Sequence, residues 1–327
     1  MNSHEDLYGP LRQAMGAVDT VVFGHEALKE SALICLLSGG HLIIESAPGE
    51  GKTLFMKAFA KVLGLKSDRI QFNPELRPSH ILGYVDRDPI DDVPVFREGP
   101  IFANIVLADE INAAPPNVQN SLLEPMQEGQ ATVPGWGTEA LPSPHFVLAT
   151  LNPVETSRAR YDLPRAELDR FLVKENLFYP DIETLKRITV HDADGALKLL
   201  KPVLDRESLM AIMAEVRGLW SKAAPDHPIV DYINRLAVKL REFLTQEEYG
   251  VSPRACNKLW VAASAYAWLK GRAEATLADI IHPTEHSTTP LIYRVWRHRL
   301  IVDDEKRAEA LILEAIRETP PLVKKEA

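Results

Sequence analysis

Short, mostly apolar runs alternate with stretches of helical spacing through the first half of the chain. The runs are HLIIE (41–45), RIQF (69–72), NIVLA (104–108), FVLAT (146–150) and LVKENLF (172–178). Strands that are apolar at successive positions are covered on both faces, so the pattern predicts a parallel sheet between helices, an α/β fold. One helical pattern starts near His25 and closes at Gly39 and Gly40; a second starts near Lys52 and closes at Gly64. Proline and glycine crowd DPIDDVPVFREGP (88–100) and VPGWGTEALPSP (133–144), which are expected to be loops or hairpins inserted between core elements. Beyond FYPD, near Pro180, the pattern is almost wholly helical. Ser252 before Pro253 reads as a cap with a first-turn proline, and Cys256, Leu259, Trp260, Ala263 and Ala267 then recur at helical spacing up to Gly271. The expected organisation is a sheet domain over 1–180 and an all-helical domain over 181–327. The end, EAIRETPPLVKKEA (314–327), is expected to fray.

With 327 residues, 46% of them hydrophobic, the chain is long enough for two domains with buried cores. No apolar run reaches the roughly 18 residues of a spanning helix, and MNSHEDLYGP lacks the basic flank and apolar core of an export signal. The expectation is a cytoplasmic protein without a membrane partner. Cys35 and Cys256 each fall inside an apolar helical pattern and read as small core residues of a reducing compartment. A net charge of −9, from 37 basic and 46 acidic residues, repels a polyphosphate backbone and argues against nucleic acid as the main partner.

The candidate chemistry begins at ESAPGEGKTLF (45–55), between an expected strand and an expected helix. That context turns a glycine-rich match into a phosphate site, because loop amides and the helix N-terminus point at one anion. Ser46, Pro48, Gly49, Glu50, Gly51, Lys52, Thr53 and Leu54 are the candidate nucleotide-binding residues. Lys52 would reach the β and γ phosphates, and Thr53 would hold magnesium through its hydroxyl. Ser46 stands where such loops have a first glycine, a position that serves the turn out of the strand. In IVLADE (105–110), four apolar residues precede Asp109 and Glu110 at the strand's C-terminal edge, where ligands of open α/β sheets bind. One carboxylate can take part in binding magnesium while the other polarises the attacking water. Asn152 follows the next strand and could position a water or sense a γ phosphate; NP is also a common turn dipeptide. Arg170 lies in LPRAELDRF, where Pro164 opens a short helix. Arg254 is the second residue of the SPRACNKLW helix, where the helix dipole disfavours a cation unless an anion binds there.

Together these stretches resemble an AAA+ ATPase, and FGHEALKESALICLLSGGHLIIESAPGEGKT, RIQFNPEL, FREGPIFANIVLADEINAAPPNVQNSLLEPMQEGQATV, FVLATLNPVE, LPRAELDRF and SPRACNKLWVAASAYAWLKGR resemble the MoxR family in its order, over about residues 20–300. The resemblance implies a P-loop domain with a five-stranded parallel sheet, a helical lid, and insertions in the second helix region and before the sensor strand. It assigns Lys52 and Thr53 to Walker A, Asp109 and Glu110 to Walker B, Asn152 to sensor 1, Arg170 to the arginine finger and Arg254 to sensor 2. It further implies ATP with magnesium at the interfaces of a ring, usually a hexamer, and chaperone-like remodelling of a protein client, often with a von Willebrand factor A domain partner. The chain departs from the pattern at Ser46, at Ala113, where most members have arginine, in the basic linker ETSRARYDLP, and at Arg165 in place of glutamate. Arg165 and Arg170 lie about 140° apart around a helix at 3.6 residues per turn, so only one can face a given phosphate. Arg165 can instead pair with Asp169. Arg158 and Arg160 are the other finger alternatives. Tyr84, in the polar insertion HILGYVDRDPIDDVPVF, is expected to project toward a client. A nucleic-acid motor or loader, and a nucleotide-gated binding protein with little turnover, are the competing functions.

Overall fold

The computed structural model describes residues 4–46, 49–151, 161 and 163–320. Five parallel strands form the central sheet: β1 (Leu42–Glu45), β2 (Ser67–Gln71), β5 (Ile105–Asp109), β8 (Phe146–Leu151) and β9 (Val173–Asn176), in the order β2-β5-β8-β1-β9. These are the five expected strands, each displaced by no more than two residues at either end. Successive residues of a strand point to opposite faces. Leu42 and Ile44 of β1 accordingly join one apolar cluster and Ile43 the other.

Helices α1 (His4–Val18) and α2 (Glu26–Leu37) precede β1, and α3 (Lys52–Val62), α4 (Pro78–Leu82), α5 (Pro116–Glu128) and α6 (Arg165–Leu168) run between the strands. The two Pro/Gly-rich stretches are antiparallel hairpins, β3 (Gly83–Arg87) with β4 (Pro94–Glu98) and β6 (Gln130–Val133) with β7 (Gly137–Ala140). Gly83, at φ 93°, closes the first hairpin because a Cβ there would lie 2.1 Å from the Arg97 carbonyl oxygen. Phe96 of β4 stacks on Trp136 of the second hairpin's turn, with ring centroids 5.9 Å apart, and meets Phe102 edge-on at 5.4 Å. The insertions therefore form one unit.

The chain beyond β9 is helical: α7 (Ile182–Thr189), α8 (Ala193–Leu199), α9 (Arg206–Ser221), α10 (Pro228–Glu242), α11 (Pro253–Leu269), α12 (Leu277–Ile281), α13 (Leu291–Trp296) and α14 (Glu305–Glu318). Ser252 caps α11 by accepting from the Ala255 amide, with Pro253 in the first turn. The expected frayed end is corrected in part: α14 carries the helix to Glu318, because Ala308, Leu311, Ile312 and Ala315 bury one apolar stripe. Residues 321–327 lie outside the described residues.

One apolar cluster spans α1, α2, β1, α10, α11 and α13. A buried ionic network joins the same regions. Arg294 of α13, fully inaccessible, pairs with Glu30 of α2 at 2.9 Å and Glu175 of β9 at 2.5 Å, and donates to Ser31. Lys174 of β9 pairs with Glu45 at 2.8 Å and with Glu305 of α14. The strand that leads into the glycine-rich loop is thus joined through one lysine to α14.

Candidate functional site

Gly49 and Gly51 hold φ of 88° and 76°, and Gly51 is the N-cap of α3. Left-handed backbone at both positions is what a loop folding its amides around an anion demands, and glycine adopts it without steric conflict. Ser46 has no positive φ, so its Cβ is no obstacle to the turn. Its hydroxyl instead accepts a 2.6 Å hydrogen bond from Lys52 Nζ, and its amide donates to the Leu151 carbonyl. The residue that looked like a defect in the sequence holds the loop's lysine. Burial pulls the Lys52 ammonium below the usual lysine range, while the nearby Asp109, Glu50 and Glu110 carboxylates work the other way. Burial also raises Glu50 above the usual carboxylate range, opposed by Lys52 and Ser46.

Asp109 ends β5, and Glu110 follows with φ 57°, an uncommon conformation for a residue with a side chain. Strain of this kind persists where the surroundings enforce it. Thr150 of β8, fully buried, does so here: its hydroxyl donates to Asp109 Oδ1 at 2.7 Å and accepts from the Glu110 amide at 2.8 Å. Arg69 of β2 pairs with the other Asp109 oxygen at 2.6 Å. Neither Thr150 nor Arg69 carries a motif signal. Their roles follow from strand order, which sets β5 between β2 and β8.

A cavity of 180 Å³ opens beside Gly49, Glu50 and Gly51, walled by Val22, Phe23, Leu54, Tyr179, Leu185 and Ile188, among others. The candidate Leu54 lies within it. His25, at φ 57°, and His191 bring the polar edge, and burial lowers the His25 imidazole below its ordinary range. The walls come from the segment before α2 and from α7, whose apolar face (Ile182, Leu185, Ile188) packs no core. Sequence reading missed these residues, although apolar spacing in α7 without a core to fill was an available signal.

Arg170 and Arg254 do not line this cavity. They share a second cleft of 330 Å³ with Gly39, Gly40, Gln127 and Lys258. The Arg170 guanidinium donates to the Leu123 carbonyl at 3.0 Å and to Gln127 at 2.7 Å, with the Glu167 carboxylate within electrostatic reach. Asp169, the expected partner of Arg165, is taken by Arg299 at 2.7 Å. Pro48, Asn152, Arg158, Arg160 and the side chain of Arg165 lie outside the described residues. Cys35 and Cys256 are buried free thiols, as expected. Among the described residues no helix is long and apolar enough to cross a membrane, and no cluster of three or more metal-ligating side chains occurs.

The profile of the ATPase family associated with various cellular activities (AAA) matches residues 41–173. The chain is 37% identical over 317 residues to the protein YeaC of Bacillus subtilis, covering 97% of this chain and 94% of that one. It is 34% identical to chaperone MoxR1 of Mycobacterium tuberculosis, covering 94% and 79%. A crystal structure from Cytophaga hutchinsonii, named as a candidate ATPase, superposes with a TM-score of 0.81 at 29% identity, covering 97% of this chain and 96% of that one. The phosphate loop, the acidic strand end, the sheet order and these likenesses agree, and the chain belongs to the MoxR family of AAA+ ATPases.

Proposed function

We propose that the chain hydrolyses ATP with magnesium as a ring-forming, chaperone-like remodeller of a protein client in the cytoplasm. One observation carries the hydrolytic reading. Lys52, tied to Ser46, stands within electrostatic reach of Glu50, Asp109 and Glu110, beside a cavity of 180 Å³ flanked by left-handed glycines. The apolar cavity would take the adenine ring, and the loop amides with Lys52 would take the phosphates.

Thr53 and Asp109 would hold magnesium. Hard oxygen donors, few in number, suit an ion that keeps most of its water and takes the rest of its shell from phosphate. In the free chain Arg69 neutralises the Asp109 carboxylate that such an ion would otherwise meet. The bound ion would neutralise charge on the phosphate oxygens. Glu110, held by Thr150, would orient and polarise the attacking water, with Asn152 as a second contact to water or γ phosphate. Arg170 and Arg254 occupy a cleft apart from their own loop, which supports their acting on the nucleotide of a neighbouring copy in a ring, a hexamer by family habit. A finger supplied in this way is worth about 10³ to 10⁵ in rate.

In this reading residues 1–180 form the nucleotide-binding domain and 181–327 the lid. The first hairpin, with Tyr84 55% exposed, meets the client, and a von Willebrand factor A domain protein assists. The negative net charge disfavours a nucleic-acid substrate.

Glu110→Gln keeps shape and removes the base. It should leave ATP binding intact and lower kcat by at least about 100-fold. Lys52→Ala should instead weaken binding itself, read by calorimetry. Parental turnover in Glu110→Gln would overturn the assignment of the base, and unchanged affinity in Lys52→Ala would overturn the phosphate loop.

A further inference from the structure

The cleft that holds Arg170 and Arg254 has a third cation that no family motif requires. Lys258 lies one turn beyond Arg254 on α11, and residues four apart share a helix face. Among the described residues no carboxylate lines the cleft itself, Glu167 acting on Arg170 from outside it, although the molecule as a whole carries a charge of −9. Three cations facing one small volume repel each other, a conflict relieved when an anion sits among them or when the lysine gives up its proton. The 330 Å³ available, with the Gly39–Gly40 backbone at one side, is room for phosphate oxygens rather than for a bulky polyanion.

We propose that Lys258 is a further phosphate-binding cation of this cleft, acting with Arg170 and Arg254 on the terminal phosphates of a nucleotide held by a second copy of the chain. The proposal rests on the reading that the two arginines act across a subunit boundary. An ammonium carries three donors. One Lys258 N–H goes to the Asp169 carbonyl, which fixes the side chain beside Arg170 and leaves the others for the anion.

The environment gives this lysine a distinctive signature. Burial pushes its ammonium down to about 7, with Arg299 and Arg254 repelling it. Asp169 opposes that shift, and the neutral Cys35 thiol faces it from α2. The neutral His41 and His298 imidazoles also face it, and Arg170 lines the cleft from the turn after α6 with the Glu167 carboxylate in reach. An arriving phosphate reverses the balance, so Lys258 takes up a proton as the anion binds. Charge in the free protein is present below about pH 7 and lost above it.

The test compares Lys258→Met and Lys258→Arg with the parent in steady-state ATP hydrolysis from pH 6.5 to 8.5, with melting temperature and ring assembly measured for each. Lys258→Met should lower kcat/KM at pH 6.5 by about 10- to 100-fold, the worth of a hydrogen bond to a charged group. Lys258→Arg should retain activity, and the ratio of parental to Lys258→Arg kcat/KM should fall at least about threefold across the range, because the guanidinium never titrates there. If parent, Lys258→Met and Lys258→Arg share one pH profile, the lysine only braces Asp169 and the proposal fails.

Mixed rings separate this failure from that of the underlying reading. Arg170→Ala mixed with Lys52→Ala should regain part of the lost activity, since one interface pairs an intact loop with an intact arginine. Lys258→Met mixed with Lys52→Ala should regain it in the same way. Recovery in the first mixture alone overturns the role of Lys258. No recovery in either, with mixed rings confirmed by pull-down of differently tagged chains, overturns the trans reading and this proposal with it.

Discussion

At the scale of single residues, Ser46 shows how a departure from a motif can be absorbed. A first glycine would leave Lys52 without the 2.6 Å contact it makes here. On the proposed reading that contact competes with the phosphates, because the ammonium must turn from the hydroxyl toward the anion. A typical hydrogen bond contributes about 0.5–1.5 kcal/mol net, so Ser46→Gly should tighten ATP binding by about 2- to 10-fold, measured by calorimetry. Weaker binding would show that the serine pre-positions the lysine instead. Thr150 makes the complementary point. One buried hydroxyl serves both Asp109 and Glu110, and nothing in FVLATLNPVE marks it, since a threonine in a strand is ordinary.

At the scale of elements, the two insertions matter because they are joined. Each hairpin alone is two strands, a marginal structure in water. The Phe96–Trp136 stack gives each an apolar neighbour, a contribution of about 0.5–1.5 kcal/mol beyond area burial. Trp136→Ala should therefore speed amide exchange in β4 by about 2- to 10-fold, with β1, β5 and β8 unchanged. Unchanged exchange in β4 would mean that the hairpins stand independently. The breaks at 88–100 and 133–144 were readable because proline and glycine punctuate them. Their pairing was not, since Phe96 and Trp136 lie on segments with no local reason to meet.

At the scale of the whole molecule, three imidazoles are held neutral inside the fold. Burial pushes His41 down to about 3, with His145 adding to the effect, and pushes His145 itself to about 4. His298 falls well below the ordinary range through burial, with Arg299, Lys174 and Lys258 in support. His41 accepts from the Val147 amide through Nδ1, so its Nε2 donates to the Met126 carbonyl, and the neutral tautomer is built into the packing. The sign follows directly. Below about pH 6.5 the unfolded chain binds protons that the folded chain refuses, so stability is fully present above that pH and falls as pH drops through it. Each such histidine removes up to about 1.4 kcal/mol per pH unit. Denaturant titrations at pH 7.5, 6.5 and 5.5 should show a midpoint that falls a little between the first two and more steeply between the second and the third. A midpoint unchanged down to pH 5.5 would mean that these histidines charge in the folded state.

Features set within a few residues were legible from the chain alone. The five strands, the glycines at φ 88° and 76°, the cap at Ser252 and the acids ending β5 all answer to local rules of backbone handedness, capping and periodicity. The family likeness, carried by those same stretches, was legible for the same reason. Features requiring distant segments to meet were decided only by the tertiary structure. Arg69 and Thr150 reach Asp109 because strand order sets β2 and β8 on either side of β5. The cavity beside Gly49 and Gly51 joins the segment before α2 to α7, and Arg170 shares a cleft with Arg254 and Lys258 because Lys258 of α11 binds the Asp169 carbonyl in the turn after α6. Which face of a helix packs on which neighbour is fixed by the summed fit of many weak apolar contacts, and no short window of sequence encodes that sum.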